Sequence, residues 1–466
     1  MTHPDRPASP LSAAVRSPYW DETVGPQPPC LPLQQDARCD LAIVGGGFTG
    51  LWTALLARGQ DPQARITVLE AQRCGSAASG RNGGFCAPSI SHGVGVALRR
   101  WPAEAETLVR LGRENLDGLA ADIEHYGLDA EFEREGKLNL AEKPWQVAGL
   151  QQMQRNYQRF GLEARMLTGE ALREKFDSPI YSAGLFEPNY ALLNPARMVA
   201  GLRRAALESG ITIHEDTPVR QLRETGDGMA LETPGGVVRA GKVVLATNAA
   251  PPLHGRLRHA LIPIFDYALV TRPLSDEEMA LTGWRGRYGI ADSGNQFHYI
   301  RKTRDNRILW GGYDAVYHFG SRRDPALLDS AATYDRLARN FARALPGLEH
   351  VGFTHAWGGI IDVSARTTFF AGLGHRGRLA YAMGFTGQGV SASRFAALTM
   401  LDLLAGRDTE RTRLDMLRRR PFPFPPEPAR WLGIRWAQRD LAREDRTGRR
   451  SLLLRSMDAF GIGFDS

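Results

Sequence analysis

Three glycines at a fixed spacing, Gly45-x-Gly47-x-x-Gly50, lie between a short apolar run, Leu41-Ala42-Ile43-Val44, and a segment, Phe48 to Arg58, whose apolar residues Leu51, Trp52, Leu55 and Leu56 recur with a helical period. Glycines so placed suit the chemistry of a bound pyrophosphate. The first permits a tight turn, the second lets backbone N–H groups approach phosphate oxygens at the positive end of a helix, and the third lets that helix pack on the strand before it. A second apolar run, Ile66 to Leu69, ends on Glu70, 20 positions after Gly50. There a carboxylate can accept hydrogen bonds from a ribose. A glycine motif alone is weak evidence, but here strand, spacing, helix and terminal acid coincide, and the pattern predicts a dinucleotide-binding βαβ unit.

That unit does not decide between a nicotinamide and a flavin dinucleotide. Further downstream, Ala78-Ser79-Gly80-Arg81-Asn82-Gly83-Gly84 is too rich in glycine for an ordinary connection. The run Val243-Val244-Leu245-Ala246-Thr247-Asn248-Ala249 reads as another buried strand ending in small polar residues. Gly384-Phe385-Thr386-Gly387-Gln388-Gly389-Val390 again opens a helix with backbone donors. Three such loops suit one elongated ligand. The four cysteines, Cys30, Cys39, Cys74 and Cys86, match neither a zinc module nor a Cys-x-x-Cys pair and read as free thiols. His92, His254 and His355 lack metal-ligand spacing, and no metal site is expected.

These loops need a large framework. The chain has 466 residues, 43% hydrophobic and 23% charged, which excludes a disordered or fibrous chain. Its 50 glycines follow no Gly-X-Y period, so they belong to turns and close backbone approaches. Residues 1–39 hold seven prolines within the first 29 positions and read as an extended arm packed at Tyr19 and Trp20. Helices are predicted over 101–127, 144–160, 195–209 and 391–404, and strands near 183–186, 211–214, 237–246, 267–270 and 379–383. A hairpin is predicted with strands 297–300 and 308–310 on either side of Arg304-Asp305-Asn306. Lys+Arg 58 against Asp+Glu 51 gives a net charge of +7, and residues 406–466, with 14 Arg and 9 Asp+Glu, carry most of it. No apolar leader is visible over 1–10 and no uninterrupted apolar stretch is long enough to cross a bilayer, which points to the cytoplasm.

The segments Ile43 to Gly50, Ser79 to Gly84 and Gly384 to Gly389 resemble those of the FAD-dependent amine and amino-acid oxidoreductases typified by glycine oxidase, sarcosine oxidase and D-amino-acid oxidase. The resemblance runs from about Asp40 to Gly406. It implies an α/β + β architecture, a Rossmann-like FAD-binding domain interleaved with an antiparallel-sheet substrate domain. The expected division is an arm over 1–39, an FAD-binding domain from 40–100, 190–265 and 350–406, a substrate domain from 101–189 and 266–349, and a basic extension over 407–466. By the same likeness Gly45, Gly47, Phe48, Thr49 and Gly50 hold the pyrophosphate and Glu70 the adenosine ribose. Val219 meets the adenine and Thr247 the dinucleotide. Ser79, Arg81, Asn82 and Gly83 pass the flavin ring, and Gly384, Thr386, Gly387, Gln388, Gly389 and Val390 place a helix N-terminus at its N1/O2 edge. The phrase Ala-Ser-Gly-Arg-Asn-Gly-Gly is shared with γ-glutamylputrescine oxidoreductases and aminophosphonate oxidoreductases, which suggests an amine substrate with an anion elsewhere.

The resemblance also marks departures. Sarcosine oxidases bond their flavin through a cysteine in the segment corresponding to 357–370, whereas this sequence has no cysteine after Cys86, so FAD is expected to be held without a covalent bond. Those oxidases also present a lysine near the flavin, on a strand resembling Arg307 to Gly311. None stands there, which predicts slow reaction with oxygen. Tyr267, Tyr299, Arg301, Trp357 and Gln388 are candidates for the substrate face. Arg301 could hold a carboxylate or phosphonate, or could bridge two strands; His298 is expected to be structural. The implied activity is hydride loss from the amine-bearing carbon, giving an imine that water opens. No catalytic Ser, Cys or His is required, and oxygen or another acceptor takes the electrons. Flavin-dependent tRNA wobble-uridine modification, supported only by the basic tail, and a non-catalytic flavin-binding protein are the alternatives.

Overall fold

The computed structural model describes residues 10–463. The polar, Pro-rich residues 1–9, where no apolar leader is expected, lie outside the described residues. Among the described residues no helix is long and apolar enough to cross a membrane.

The strand Ala37–Val44 runs into the glycine turn and the helix Phe48–Gln60, as the apolar spacing predicts. It is central in a sheet ordered Thr212–His214, Ile66–Leu69, Ala37–Val44, Gly236–Leu245 and Leu379–Met383, all parallel, with Phe370–Gly374 antiparallel at the edge. Parallel strands are covered on both faces, which explains the unbroken apolar run of Val243, Val244 and Leu245, all buried. The helices Phe48–Gln60, Pro195–Glu208 and Gly389–Leu404 cover one face through Leu51, Leu55, Met198, Leu202, Ala396 and Met400. Because the strands share a direction, Gly45, Glu70 and Ala246 emerge at one edge, the edge at which such sheets bind ligands.

A second sheet runs Phe353–Ser364, Leu261–Thr271, Ile308–Gly312, His298–Lys302, Gly289–Asp292, Lys137–Ala141, Ala183–Glu187 and Arg165–Thr168. It is antiparallel except where Gly289–Asp292 pairs in parallel with Lys137–Ala141. The fold is therefore an α/β dinucleotide-binding layer interleaved with a mainly antiparallel sheet. Sheet membership does not follow the expected cuts at 265 and 350. Leu261–Thr271 and Phe353–Ser364 pair along their length and both lie wholly in the second sheet.

Alternation divides the Leu261–Thr271 strand into two faces. Phe265, Tyr267 and Leu269 pack against Tyr334, Leu337 and Phe341 of the helix Ala331–Ala344. The opposite face carries the cross-strand pairs Ile262 with Val363, Ile264 with Ile361, Asp266 with Gly359, Ala268 with Trp357, and Val270 with His355. Phe424, Trp431 and Ile434 of the C-terminal segment cover the first two pairs. Tyr19 and Trp20 of the N-terminal arm cover the last two. A slot at Asp266 and Gly359 lies between these covers, and both residues are half-buried.

Candidate active site

The dinucleotide half of the site is a cradle made by missing side chains. A Cβ on Gly50 would stand 1.9 Å from the Gly45 carbonyl oxygen, so only glycine lets helix and turn approach so closely. The helix that follows begins at Gly47 with no side-chain cap, and the Phe48 N–H donates to Ser79 Oγ at 2.9 Å. Glu70 accepts from the Gly46 N–H (2.6 Å) and the Gln72 N–H (2.9 Å), and burial pushes its carboxyl up. The Thr217 N–H donates to the Glu70 carbonyl, bringing the segment that carries Val219 alongside. At the end of the next strand the Thr247 hydroxyl is buried with no hydrogen-bond partner.

The other half is two turns tied to one strand. Asn82 closes the first turn, its Nδ2 donating to the carbonyls of Ala78 and Ser79 and its Oδ1 accepting from the Gly84 N–H. Trp20 Nε1 donates to the Asn82 carbonyl and Trp357 Nε1 to the Arg81 carbonyl, both at 2.9 Å. Arg81 in turn donates to the carbonyls of Ser76 and Gly358. Five residues from Trp357 along the same strand, Asp362 accepts from the Gly384 N–H (2.6 Å) and the Phe385 N–H (3.1 Å). Burial pushes the Asp362 carboxyl up to about 7. Thr386 sits at φ +50°, and the helix Gly389–Leu404 starts at Gln388 without a side-chain cap, its Val390 buried beneath. Two uncapped helix N-termini, an unpartnered buried hydroxyl and a close-approach glycine turn suit an anionic dinucleotide with an extended ring.

Of the expected substrate residues, the structure brings Tyr299 to the slot, where its hydroxyl donates to Asp266 Oδ2 at 2.7 Å. Asp266 escaped the sequence reading, although an acid inside the apolar run Ile262 to Val270 was its signal. Desolvation pushes its carboxyl up to about 6. Tyr267 is turned away: its hydroxyl donates to the Leu327 carbonyl, and its ring meets Tyr334 on the face covered by a helix. Trp357 buttresses the Ser79 to Gly84 turn from below, and Gln388 lies half-buried at the helix start.

Arg301 departs from its expected role as an anion partner. It is 1% exposed, its Nη1 donates to the carbonyls of Gly83 (3.0 Å) and Leu193 (2.5 Å), and its guanidinium lies 4.9 Å from the centre of the Trp20 ring. A Cβ on Gly84 would come within 2.3 Å of that nitrogen, so the guanidinium occupies the space glycine leaves. His298 is held by Asp292 and Asn340 and stacks on Tyr313. None of the five lysines reaches the slot. Lys302 and Lys242 donate to the carbonyls of Trp284 and Leu404, Lys143 pairs with Glu142, and Lys137 and Lys175 lie over aromatic rings.

A protein-family model described as FAD dependent oxidoreductase matches residues 40–403. The chain is 29% identical over 419 residues to the γ-glutamylputrescine oxidoreductase of Escherichia coli (strain K12), covering 88% of this chain and 93% of that one. It is 27% identical over 392 residues to the probable oxidoreductase OrdL of Haemophilus influenzae, covering 81% and 85% respectively. Among solved structures, glycine oxidase from Geobacillus kaustophilus superposes with a TM-score of 0.69 at 22% identity, over 80% of this chain and 96% of that one.

Proposed function

The chain belongs to the family of FAD-dependent oxidoreductases, which act on the C–N bonds of amines and amino acids, and we propose that its substrate is a small amine with a distal anionic group, such as a γ-glutamylated amine or an aminophosphonate. The observation that carries this reading is the slot at Asp266 and Gly359, beside which the Ser79 to Gly84 and Gly384 to Gly389 turns are both tied to one strand. The substrate class draws support from the relative named for γ-glutamylputrescine. It draws support also from a cavity of about 310 Å³ lined by Arg258, His259, Arg323 and Arg430. Among the described residues no carboxylate pairs with Arg258 or Arg323, and Glu427, which also lines the cavity, accepts from Tyr317, Gly320 and Trp431, so the cavity offers cations that Arg301 does not.

When bound, FAD supplies the acceptor for the two electrons leaving the amine-bearing carbon. Gly45, Gly47, Phe48, Thr49, Gly50, Glu70, Val219 and Thr247 would hold its dinucleotide. Ser79, Arg81, Asn82 and Gly83 with Gly384, Thr386, Gly387, Gln388 and Gly389 would flank its ring. The uncapped helix start at Gln388 would stabilise negative charge gained there. Trp20 and Trp357, both buried behind the Ser79 to Gly84 turn, would keep water from that side of the site. The amine loses its ammonium proton to solvent before the carbon gives up hydrogen, so no Ser, Cys or His base is assigned. With no cysteine after Cys86, FAD is held without a covalent bond; oxygen or another acceptor removes the electrons. The four thiols carry no disulfide, and we place the enzyme in the cytoplasm.

Anaerobic mixing with amines tests the reading: an amine with a distal carboxylate or phosphonate should bleach the oxidised flavin band. Removing the anion should cost more than removing one methylene, which is worth ~1–3 kcal/mol. Equal cost for both changes, or flavin retained by denatured protein, would overturn the corresponding part.

A further inference from the structure

On the Leu261–Thr271 strand, Asp266 is the one acid on a face that otherwise carries Ile262, Ile264, Ala268 and Val270, and its neighbour across the strands, Gly359, has no side chain. Tyr299 fixes one carboxylate oxygen, and the backbone N–H of Tyr267 is the other protein donor near it. The charged groups around it are already engaged. Asp314 is paired with Arg336, His298 with Asp292, and Arg81 donates to two carbonyls. Among the described residues no cation pairs with Asp266 directly, and the site adjoins the Ser79 to Gly84 turn: a Cβ on Gly83 would stand 2.9 Å from the Tyr299 ring, and one on Gly359 3.7 Å from the Arg81 Cβ.

We propose that Asp266, oriented by Tyr299, holds the reacting nitrogen of the substrate, and that the substrate class is an amine without a carboxylate on the carbon being oxidised. The inference rests on the reading above and narrows it. A carboxylate recessed among apolar residues attracts an ammonium, and equally accepts an N–H from the free amine, whose lone pair stays available. The same charge repels an α-carboxylate, and Arg301, two strands away, directs its Nη1 to the carbonyls of Gly83 and Leu193 and does not pair with Asp266. With a folded value near 6 against an ordinary 3.8, Asp266 is ionised at neutral pH.

The test uses the holoenzyme and two probes of one shape. The tert-butylammonium ion has no hydrogen on the carbon beside nitrogen and cannot be oxidised; pivalate is its anionic counterpart. Titrated against the flavin absorption spectrum, tert-butylammonium should bind the wild type, and pivalate should bind far more weakly. Asp266→Asn, with its flavin content unchanged, should weaken tert-butylammonium roughly ten- to a hundredfold and narrow the gap to pivalate. Tyr299→Phe should weaken it by a smaller factor. In parallel, γ-glutamylputrescine should reduce the wild-type flavin at lower concentrations than glycine does. Unchanged tert-butylammonium binding in a flavin-replete Asp266→Asn enzyme, stronger binding of pivalate, or preference for glycine overturns the inference. Failure of every amine to bleach the wild type, with tert-butylammonium bound as expected, overturns the wider reading instead.

Discussion

Asp362 ties the cofactor loop to the sheet with one buried carboxyl, and its titration should be visible in stability. Its folded value of about 7 lies above the ordinary 3.8, so the native state binds this proton more tightly than the unfolded state does. The stabilisation is complete below an unfolded value of about 4 and is lost as pH rises through about 7. Tm of the holoenzyme should therefore carry a falling component across that window, which Asp362→Asn removes. The amide keeps one acceptor oxygen for two N–H donors and should weaken FAD by about 1–3 kcal/mol. Equal pH slopes in both proteins would show that Asp362 does not titrate there. Arg301 supplies a second expectation at this scale. Since it binds carbonyls and a ring rather than substrate, Arg301→Lys should impair an anionic amine and its neutral analogue by the same factor, alongside a lower unfolding midpoint. A loss confined to KM for the anionic amine would return Arg301 to the site.

The N-terminal arm acts on the flavin turn through a single indole. Trp20 donates to the Asn82 carbonyl and lies against the Arg301 guanidinium. Trp20→Phe should cost about 1 kcal/mol through the lost donor, and Trp20→Ala about 3–5 kcal/mol through the cavity. Flavin retained after gel filtration should fall in the same order; full retention in Trp20→Ala would detach the arm from the site. The sequence announces Trp20 as packed, but its partner is distant in the chain and leaves no local signal. The βαβ unit was legible because a pyrophosphate demands a local pattern, Gly45 to Gly50 with Glu70. On the Leu261–Thr271 strand the sequence predicts only 267–270, and its run is apolar on both faces, so which parity meets the cofactor depends on where the helix Ala331–Ala344 packs. Tyr267 therefore reads as a site residue when its neighbour Asp266 is the one facing the slot. Arg301 misled for a related reason: its partners are carbonyls of Gly83 and Leu193, and backbone acceptors have no residue type to read.

Across the whole molecule, the basic C-terminal segment is a structural cover more than a charged tail. Arg407 and Arg411 share Asp402, Arg413 pairs with Asp408, Arg419 with Asp415, and Arg450 with Glu444 and Asp458. The helix Ala429–Thr447 places Ile434 over Ile262, Ile264 and Val363. Truncation after Arg420 would expose that patch, and the expected result is a protein that aggregates or loses turnover with γ-glutamylputrescine. A soluble truncated enzyme with unchanged KM would overturn this. The region shared with the family, 40–403, contains the redox sheet but neither of the covers that frame the slot. Tyr19 and Trp20 stand before it, and Phe424, Trp431 and Ile434 after it. Two short peripheral stretches, one on each side of the matched region, thus act as jambs around the slot, so that exchanging a few of their residues would reshape the doorway while leaving the strands of the redox sheet in place.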